Sequence, residues 1–160
     1  MKKCLLLALL AFLAGCAPRQ QAFKGKCPQT TEEFTTLVDQ LRFLSREEKD
    51  RMLLDFPATT PDAEKVLRLR YFFQRTANIT FEEGLRRLAY AEETFGPPNR
   101  DDRSRIYVLL GPPESREERS QMMPGLAIQE RYEIWRYASG YFMTFRKDRF
   151  DDFVMLTAGR

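Results

Sequence analysis

The chain has 160 residues, with 26 basic and 23 acidic side chains, a formal charge of +3 and no histidine. This length fits one domain, and the near balance of charge argues against a nucleic-acid partner, which favours a strong basic excess. Histidine is the commonest general base and metal ligand, so histidine-based catalytic triads and the usual zinc sites are excluded. We therefore expect neither a metal nor a cofactor.

The first sixteen residues have the pattern of an export signal. Two basic residues, Lys2 and Lys3, precede the uncharged apolar run Leu5–Leu13, and small residues follow it. A run of about nine residues is far shorter than the roughly 20 that a membrane-spanning helix needs. The last four residues of this stretch, Leu13–Cys16, resemble the lipobox of bacterial lipoproteins.

This resemblance implies that residues 1–15 are a signal peptide and that Cys16 is acylated after cleavage. Two or three acyl chains anchor a protein stably, where one chain is marginal. The residue after Cys16 is Ala17, whereas an aspartate there is the usual signal for retention in the inner membrane. We therefore expect an outer-membrane anchor with the protein facing the periplasm. The alternatives are an ordinary signal peptide with a chance cysteine, or a buried helix.

Residues 16–29 are predicted to form a lipidated tether, because they are mostly polar and include two prolines and a glycine. Cys4 leaves with the signal peptide and Cys16 carries lipid, so Cys27 is the remaining thiol. The mature chain is thus expected to lack an internal disulfide. Cys27 is interpreted as an unpaired linker residue, with a bond to a partner as the alternative.

Four helices are predicted in a helical region spanning residues 30–95. Each start carries an N-capping signal. Capping boxes begin at Thr30, Ser45 and Thr80, and Thr60 is followed by a proline at the first helical position. In the first helix, apolar residues recur at i, i+3, i+4 and i+7 from Phe34, which is the spacing of one helical face. The aromatic residues at helical spacing are expected in the core.

Residues 96–160 are predicted to be rich in strands. The run Arg105–Leu110 is apolar and β-branched and predicts a first strand, which Gly111-Pro112-Pro113 would end. A charged loop is expected from Glu114 to about Glu130. Three further strands with short links are predicted, at residues 132–137, 141–146 and 152–157. Helices followed by a small antiparallel β-meander indicate an α+β fold, with residues 30–160 as one domain.

Two motifs in the C-terminal half carry a resemblance to a known family. One is the run Arg100–Glu114, which contains Leu-Leu-Gly-Pro-Pro, and the other is the Tyr-Glu-Ile-Trp strand at Tyr132–Tyr137. Over about residues 80–157 the chain resembles the GWxTD-domain proteins, which are bacterial and often exported. The Gly-Trp pair of that signature is replaced here, and only Asp102 of the signature is kept. The resemblance implies an envelope protein and assigns no catalytic residue.

A second likeness involves Leu110–Pro113 and Trp135–Tyr137. A helix, a Leu-Gly-x-Pro turn, a loop and a Trp-x-Tyr strand are also similar to the BamE/SmpA type of small outer-membrane assembly lipoprotein. That resemblance implies a module that binds partner proteins and phospholipid and is not an enzyme.

The densest polar cluster is formed by Asp101, Asp102, Arg103 and Arg105. Adjacent carboxylates with arginines could bind a cation or clamp an anionic head group. The alternative is a turn in which aspartates bind their own backbone and the charges pair with one another. Both interpretations stay open from the sequence.

A short apolar stretch interrupts the charged loop and includes Met122, Met123 and Leu126. Methionine-rich surfaces adapt well to different partners, so this stretch is the candidate partner contact.

The leading hypothesis is a lipid-anchored periplasmic protein, without enzymatic activity, that binds an envelope protein as a scaffold or assembly factor. The alternative is an envelope enzyme or ligand-binding protein that acts on peptidoglycan or glycan through the acidic loop and the aromatic residues Trp135, Tyr137 and Tyr141. A carboxylate pair meeting in a cleft beside Trp135 would favour the alternative, since glycosidases use two carboxyl groups. An exposed patch at Met122–Leu126 would favour partner binding.

Overall fold

The computed structural model describes residues 27–45, 47–122 and 129–160. Within them, five helices precede a four-stranded antiparallel sheet, so the predicted α+β fold with N-terminal helices is confirmed. Several predictions fall on residues that are outside this described part: the signal peptide, acylation of Cys16, most of the tether, and the roles of Met123 and Leu126.

The first four helices follow from their capping residues and apolar spacing. Thr30 Oγ1 accepts a hydrogen bond from the Glu33 N–H at 3.2 Å, and the Glu33 carboxylate accepts one from the Thr30 N–H, which confirms the first capping box. Thr80 caps its helix through the Glu83 N–H, also at 3.2 Å. The helices are α1 (Thr31–Arg42), α2 (Glu48–Met52), α3 (Asp62–Ala77) and α4 (Phe81–Phe95).

Two predicted helix starts are wrong in detail. The Ser45 hydroxyl donates to the Glu47 carbonyl at 3.0 Å, and Glu47 takes the N-cap position of α2 without a side-chain cap. Pro61, rather than Thr60, is the N-cap of α3, because its extended backbone (ψ 144°) delays the helix by one residue.

The strand predicted over Arg105–Leu110 is wrong, because these residues belong to a fifth helix, α5 (Asp102–Leu110). Asp101 caps this helix by accepting a backbone N–H of its first turn at 2.9 Å. The helix ends at Gly111, whose φ of +84° suits glycine. Its apolar residues do not show the i, i+3, i+4 spacing of a helix, because three consecutive residues are buried: Ile106, Tyr107 and Val108.

The charged loop predicted from Glu114 to Glu130 is also wrong over most of its length. The strands are β1 (Ser115–Met122), β2 (Gln129–Arg136), β3 (Phe142–Lys147) and β4 (Phe153–Gly159), paired in that order. Nearly every residue of β1 is exposed, so charged side chains occupy both of its faces and hide the alternation that marks a half-buried strand. The other three strands confirm the predicted meander.

The helices cover one face of the sheet. Trp135 of β2 is fully buried, with its ring centroid 5.3 Å from that of Phe95 and 6.4 Å from that of Tyr107. Phe145 of β3 lies on the same face, 5.0 Å from the Trp135 ring. Because side chains alternate along a strand, Ile134 lies on the opposite face, which the helices do not cover.

Candidate functional site

Two of the three connections between strands lie at one end of the sheet. Met122 pairs with Gln129 at the end of β1, and Lys147 pairs with Phe153 at the end of β3. The pairing of β2 with β3 is antiparallel, so the β1–β2 and β3–β4 connections leave the sheet on the same side. They are two strand spacings apart, about 10 Å.

Each of these connections presents a large apolar side chain to solvent. Met122 is 60% exposed and Phe150 is 64% exposed, which are among the largest exposed fractions of apolar residues in the described chain. The guanidinium of Arg149 lies 4.7 Å from the centre of the Phe150 ring. We call this end of the sheet, with Met122, Arg149 and Phe150, the tip surface.

The β3–β4 turn holds Phe150 in a defined position. Asp148 Oδ1 accepts hydrogen bonds from the backbone N–H of Phe150 at 2.8 Å and of Asp152 at 3.1 Å. Asp151 between them has a left-handed backbone with φ 69°. An aspartate that binds its own turn in this way fixes the backbone without help from packing, so Phe150 is exposed on an ordered turn.

Charges link the turn to the neighbouring strands. Lys147 Nζ lies 2.8 Å from Asp151 Oδ1, and this hydrogen bond lowers the pKa of the Asp151 carboxyl. The charge of Arg131, on β2, lowers the pKa of Asp151 further. Arg131 therefore lies close enough to the β3–β4 turn for its charge to act there.

The predicted cluster at residues 101–105 forms a buried network with a residue of the sheet. Arg103 donates to Asp101 at 2.7 Å and to Glu133 at 2.7 Å, and the Trp135 indole N–H donates to Glu133 at 2.6 Å. Asp101 is 1% exposed and Glu133 is 5% exposed. Burial lowers the pKa of Arg103, but its hydrogen bonds with Asp101 and Glu133 outweigh burial and raise it above the ordinary value.

The same cluster binds the outer edge of β4. Asp101 Oδ2 accepts the Phe153 N–H at 3.2 Å, and Asp102 Oδ2 accepts the Met155 N–H at 2.8 Å. The Arg103 guanidinium also stacks 3.7 Å from the Phe153 ring centre. Edge strands expose unpaired backbone groups that invite aggregation. Here the two carboxylates accept two of the outward N–H groups of β4.

The geometry therefore gives the four cluster residues a structural part in the fold. The carboxylates of Asp101 and Asp102 each accept hydrogen bonds from the protein. The guanidinium of Arg105 lies 3.3 Å from the carboxylate of Asp102. In the described part of the chain, no group of three or more acidic or cysteine side chains is placed to bind a metal ion.

Two acidic residues of the predicted loop lie away from Trp135, whereas the exposed Glu118 lies opposite Glu133 on the same face as Trp135. Glu117 pairs with Arg119 at 2.6 Å, and Glu130 pairs with Arg146 at 3.5 Å, both on the face that the helices leave open. Trp135 is buried on the opposite face and cannot stack on a ligand from solvent.

Sequence reasoning missed two residues that matter here. Phe150 lies in a turn between charged residues, and an aromatic residue in such a turn is the signal that could have identified it. Glu133 shares an inward face with Trp135, and a carboxylate at an inward strand position calls for a buried cationic partner. That partner is Arg103, 30 residues earlier in the chain.

Searches against models of protein families, curated proteins and solved structures find no significant match for this chain. Among the described residues, no helix is both long enough and apolar enough to cross a membrane.

Proposed function

We propose that this chain is a lipid-anchored protein of the bacterial envelope that binds a protein partner through the tip surface, as a scaffold or assembly factor and not as an enzyme. The observation that carries the proposal is the joint exposure of Met122 and Phe150, at 60% and 64%, at one end of the sheet. Two large apolar side chains at connections about 10 Å apart, with Arg149 beside Phe150, have the composition of a protein-binding patch.

The anchored location in this proposal comes from the sequence. The lipobox-like residues before Cys16 support an acylated N-terminus, and the absence of aspartate at position 17 supports the outer membrane. The proposal also includes kinship with the GWxTD-domain proteins or with the BamE/SmpA type of assembly lipoprotein. Both relationships agree with an exported protein, and the second also agrees with a partner-binding module.

The alternative, an enzyme or binding protein for peptidoglycan or glycan, receives less support from the geometry. It requires an exposed aromatic platform next to convergent carboxylates. Trp135 is fully buried, and its neighbour Glu133 is engaged by Arg103 and by the indole itself.

Charge placed on the tip surface is expected to abolish partner binding. In a crosslinked pull-down from membranes, Met122→Asp together with Phe150→Asp should reduce recovery of the specific partner at least tenfold, about 1.4 kcal/mol or more of binding free energy. Both side chains are mostly exposed, so the free energy of unfolding should change by only about 0.5 kcal/mol.

Tyr141→Asp is the matched control for this variant. Tyr141 is 45% exposed and lies at the opposite end of the sheet, before β3. It should leave partner recovery unchanged. Recovery that is equal for the tip variant and the wild type would overturn the proposed surface, and equal losses in both variants would show a non-specific effect of charge.

Replacement of Cys16 is expected to remove the anchor. Cys16→Ser lacks the thiol that carries the diacylglyceryl group, so the variant should incorporate no labelled fatty acid and should remain unprocessed or leave the membrane fraction. Cys27→Ser retains the Cys16 thiol and should behave as the wild type. A Cys16→Ser protein found in membranes at the normal mature size would contradict the anchor.

A further inference from the structure

An open groove separates α1 from α4 and has an apolar floor. Its volume is about 840 Å³. Leu37 of α1 and Leu85 and Leu88 of α4 form the floor, and each of them is less than 9% exposed. Gln40 hydrogen-bonds to Glu92 across one end of the groove and closes it there. We call this feature the α1/α4 groove.

The rim of the α1/α4 groove is acidic. Four glutamates line it, and no lysine or arginine is among the described residues that do so: Glu32, Glu33, Glu92 and Glu93. Burial raises the pKa of the Glu92 carboxyl, and the hydrogen bond from Gln40 only partly offsets it. The rim therefore complements a basic occupant, whose charge would favour the ionised form of the half-buried Glu92 carboxyl.

The chain enters the fold at this groove. Pro28 lines it, and Gln29 is fastened beside it by a 2.6 Å hydrogen bond from its N–H to the Glu33 carboxylate. Residues 17–26, which precede this point, contain Arg19, Lys24 and Lys26, one aromatic residue and no acid.

The geometry of the chain brings these basic residues within reach of the groove. Lys26 is two residues from Pro28, so its Cα lies within about 7 Å of that of Pro28, and the Lys24 Cα lies within about 14 Å. The groove wall from Leu85 to Glu93 spans eight helical steps, about 12 Å. Both lysines are therefore within reach of Glu33, whose carboxylate binds the Gln29 N–H.

We propose that residues 17–26 of the same chain occupy the α1/α4 groove, with the basic side chains on its glutamate rim and Phe23 on its leucine floor. A random-coil chain of ten residues would have a root-mean-square span of about 18 Å. Docked in the groove, this segment holds the fold close to residue 16 and shortens its reach. The proposal depends neither on the tip surface nor on acylation.

Photo-crosslinking within the otherwise unaltered chain tests this occupant. Thr36 lines the groove, and its neighbour Thr35 is also exposed but faces a different cleft beside α1. A benzophenone amino acid is placed at either position, and crosslinks to residues 17–26 are quantified by mass spectrometry. We expect at least tenfold more crosslinked product from position 36. A freely moving segment would give nearly equal yields, because the two loops differ by one residue in length.

Reversing the charge of the lysines shows whether the crosslinks arise from docking in the groove or only from the short chain distance. Lys24→Glu with Lys26→Glu should lower the yield at position 36 to that at position 35. Adding Glu32→Lys and Glu93→Lys, both at exposed positions, should restore at least half of the original yield. Equal yields at positions 35 and 36, an unchanged yield after reversal, or crosslinks found only between two copies of the chain would each overturn the proposal.

Discussion

Replacement of Arg103 with leucine is expected to lower the free energy of unfolding by about 3–5 kcal/mol, because it leaves two buried carboxylates without their cation. Asp101 and Glu133 are 1% and 5% exposed, and both accept hydrogen bonds from Arg103 at 2.7 Å. The variant also loses the guanidinium that stacks on Phe153. Urea denaturation followed by far-UV circular dichroism measures the change.

Arg100→Leu is the control for this effect. Arg100 lies in the same segment and pairs with Asp152 at 3.2 Å, but its side chain is 60% exposed. An exposed ion pair contributes about 0–1 kcal/mol, so the loss should stay within that range. Similar losses for the Arg100 and Arg103 variants would contradict a special role of the buried network.

A double-mutant cycle shows whether the network acts as a unit. Glu133→Gln removes one of the two charges that Arg103→Leu leaves unpaired. In the Arg103→Leu background it should therefore cost less than in the wild type, with a coupling energy of about 1–3 kcal/mol. Additive losses would mean that Arg103 stabilises the fold through packing rather than through its charge.

The helical half of the fold could be predicted because its signals are local. Thr30 and Thr80 both cap helices, as expected from a threonine followed three residues later by a glutamate. The helices α3 and α4 end at Asn78 and Gly96, and both residues have the positive φ that asparagine and glycine tolerate at such ends. Each of these features depends on residues fewer than five positions apart.

The errors occur where tertiary burial overrides local preference. Residues 106–110 are apolar and favour a strand by composition, yet the Asp101 cap and packing against α4 make them helical. In β1, charged residues form a strand because its backbone pairs with β2, whose Tyr132 to Trp135 are half-buried or buried. A single exposed edge strand has no apolar face for the sequence to reveal.

The candidate site was predictable in part for the same reason. Met122 stands out in the sequence as an apolar residue after a charged run. Its proximity to Phe150 depends on the register of three strand pairs, which no local pattern encodes. The network of Arg103 with Glu133 likewise joins residues 30 positions apart.

Trp135→Ala is expected to lower the free energy of unfolding by about 3–5 kcal/mol. The ring is fully buried among Phe95, Tyr107 and Phe145, and the guanidinium of Arg116 lies 4.8 Å from its centre. Truncation therefore leaves a cavity between the helices and the sheet. Trp135 is the single tryptophan of the chain, so unfolding must be followed by circular dichroism rather than by tryptophan fluorescence.

Trp135→Phe separates the two causes of the lost stability, which are the cavity and the missing hydrogen bond to Glu133. Phenylalanine fills much of the cavity but cannot donate to Glu133, so its cost should be smaller, about 1–3 kcal/mol, from the unpaired carboxylate oxygen. Equal costs for the two variants would assign the stabilisation to the hydrogen bond instead of the volume.

The size of the Trp135→Ala effect also distinguishes the two functional hypotheses. An aromatic platform that stacks on a sugar must be exposed, so removing it would change stability by about 0.5 kcal/mol. A loss of several kcal/mol assigns the ring to the core and leaves the glycan hypothesis without Trp135 as an aromatic contact. A loss below 1 kcal/mol would reopen that hypothesis, because the ring would then be available to a ligand.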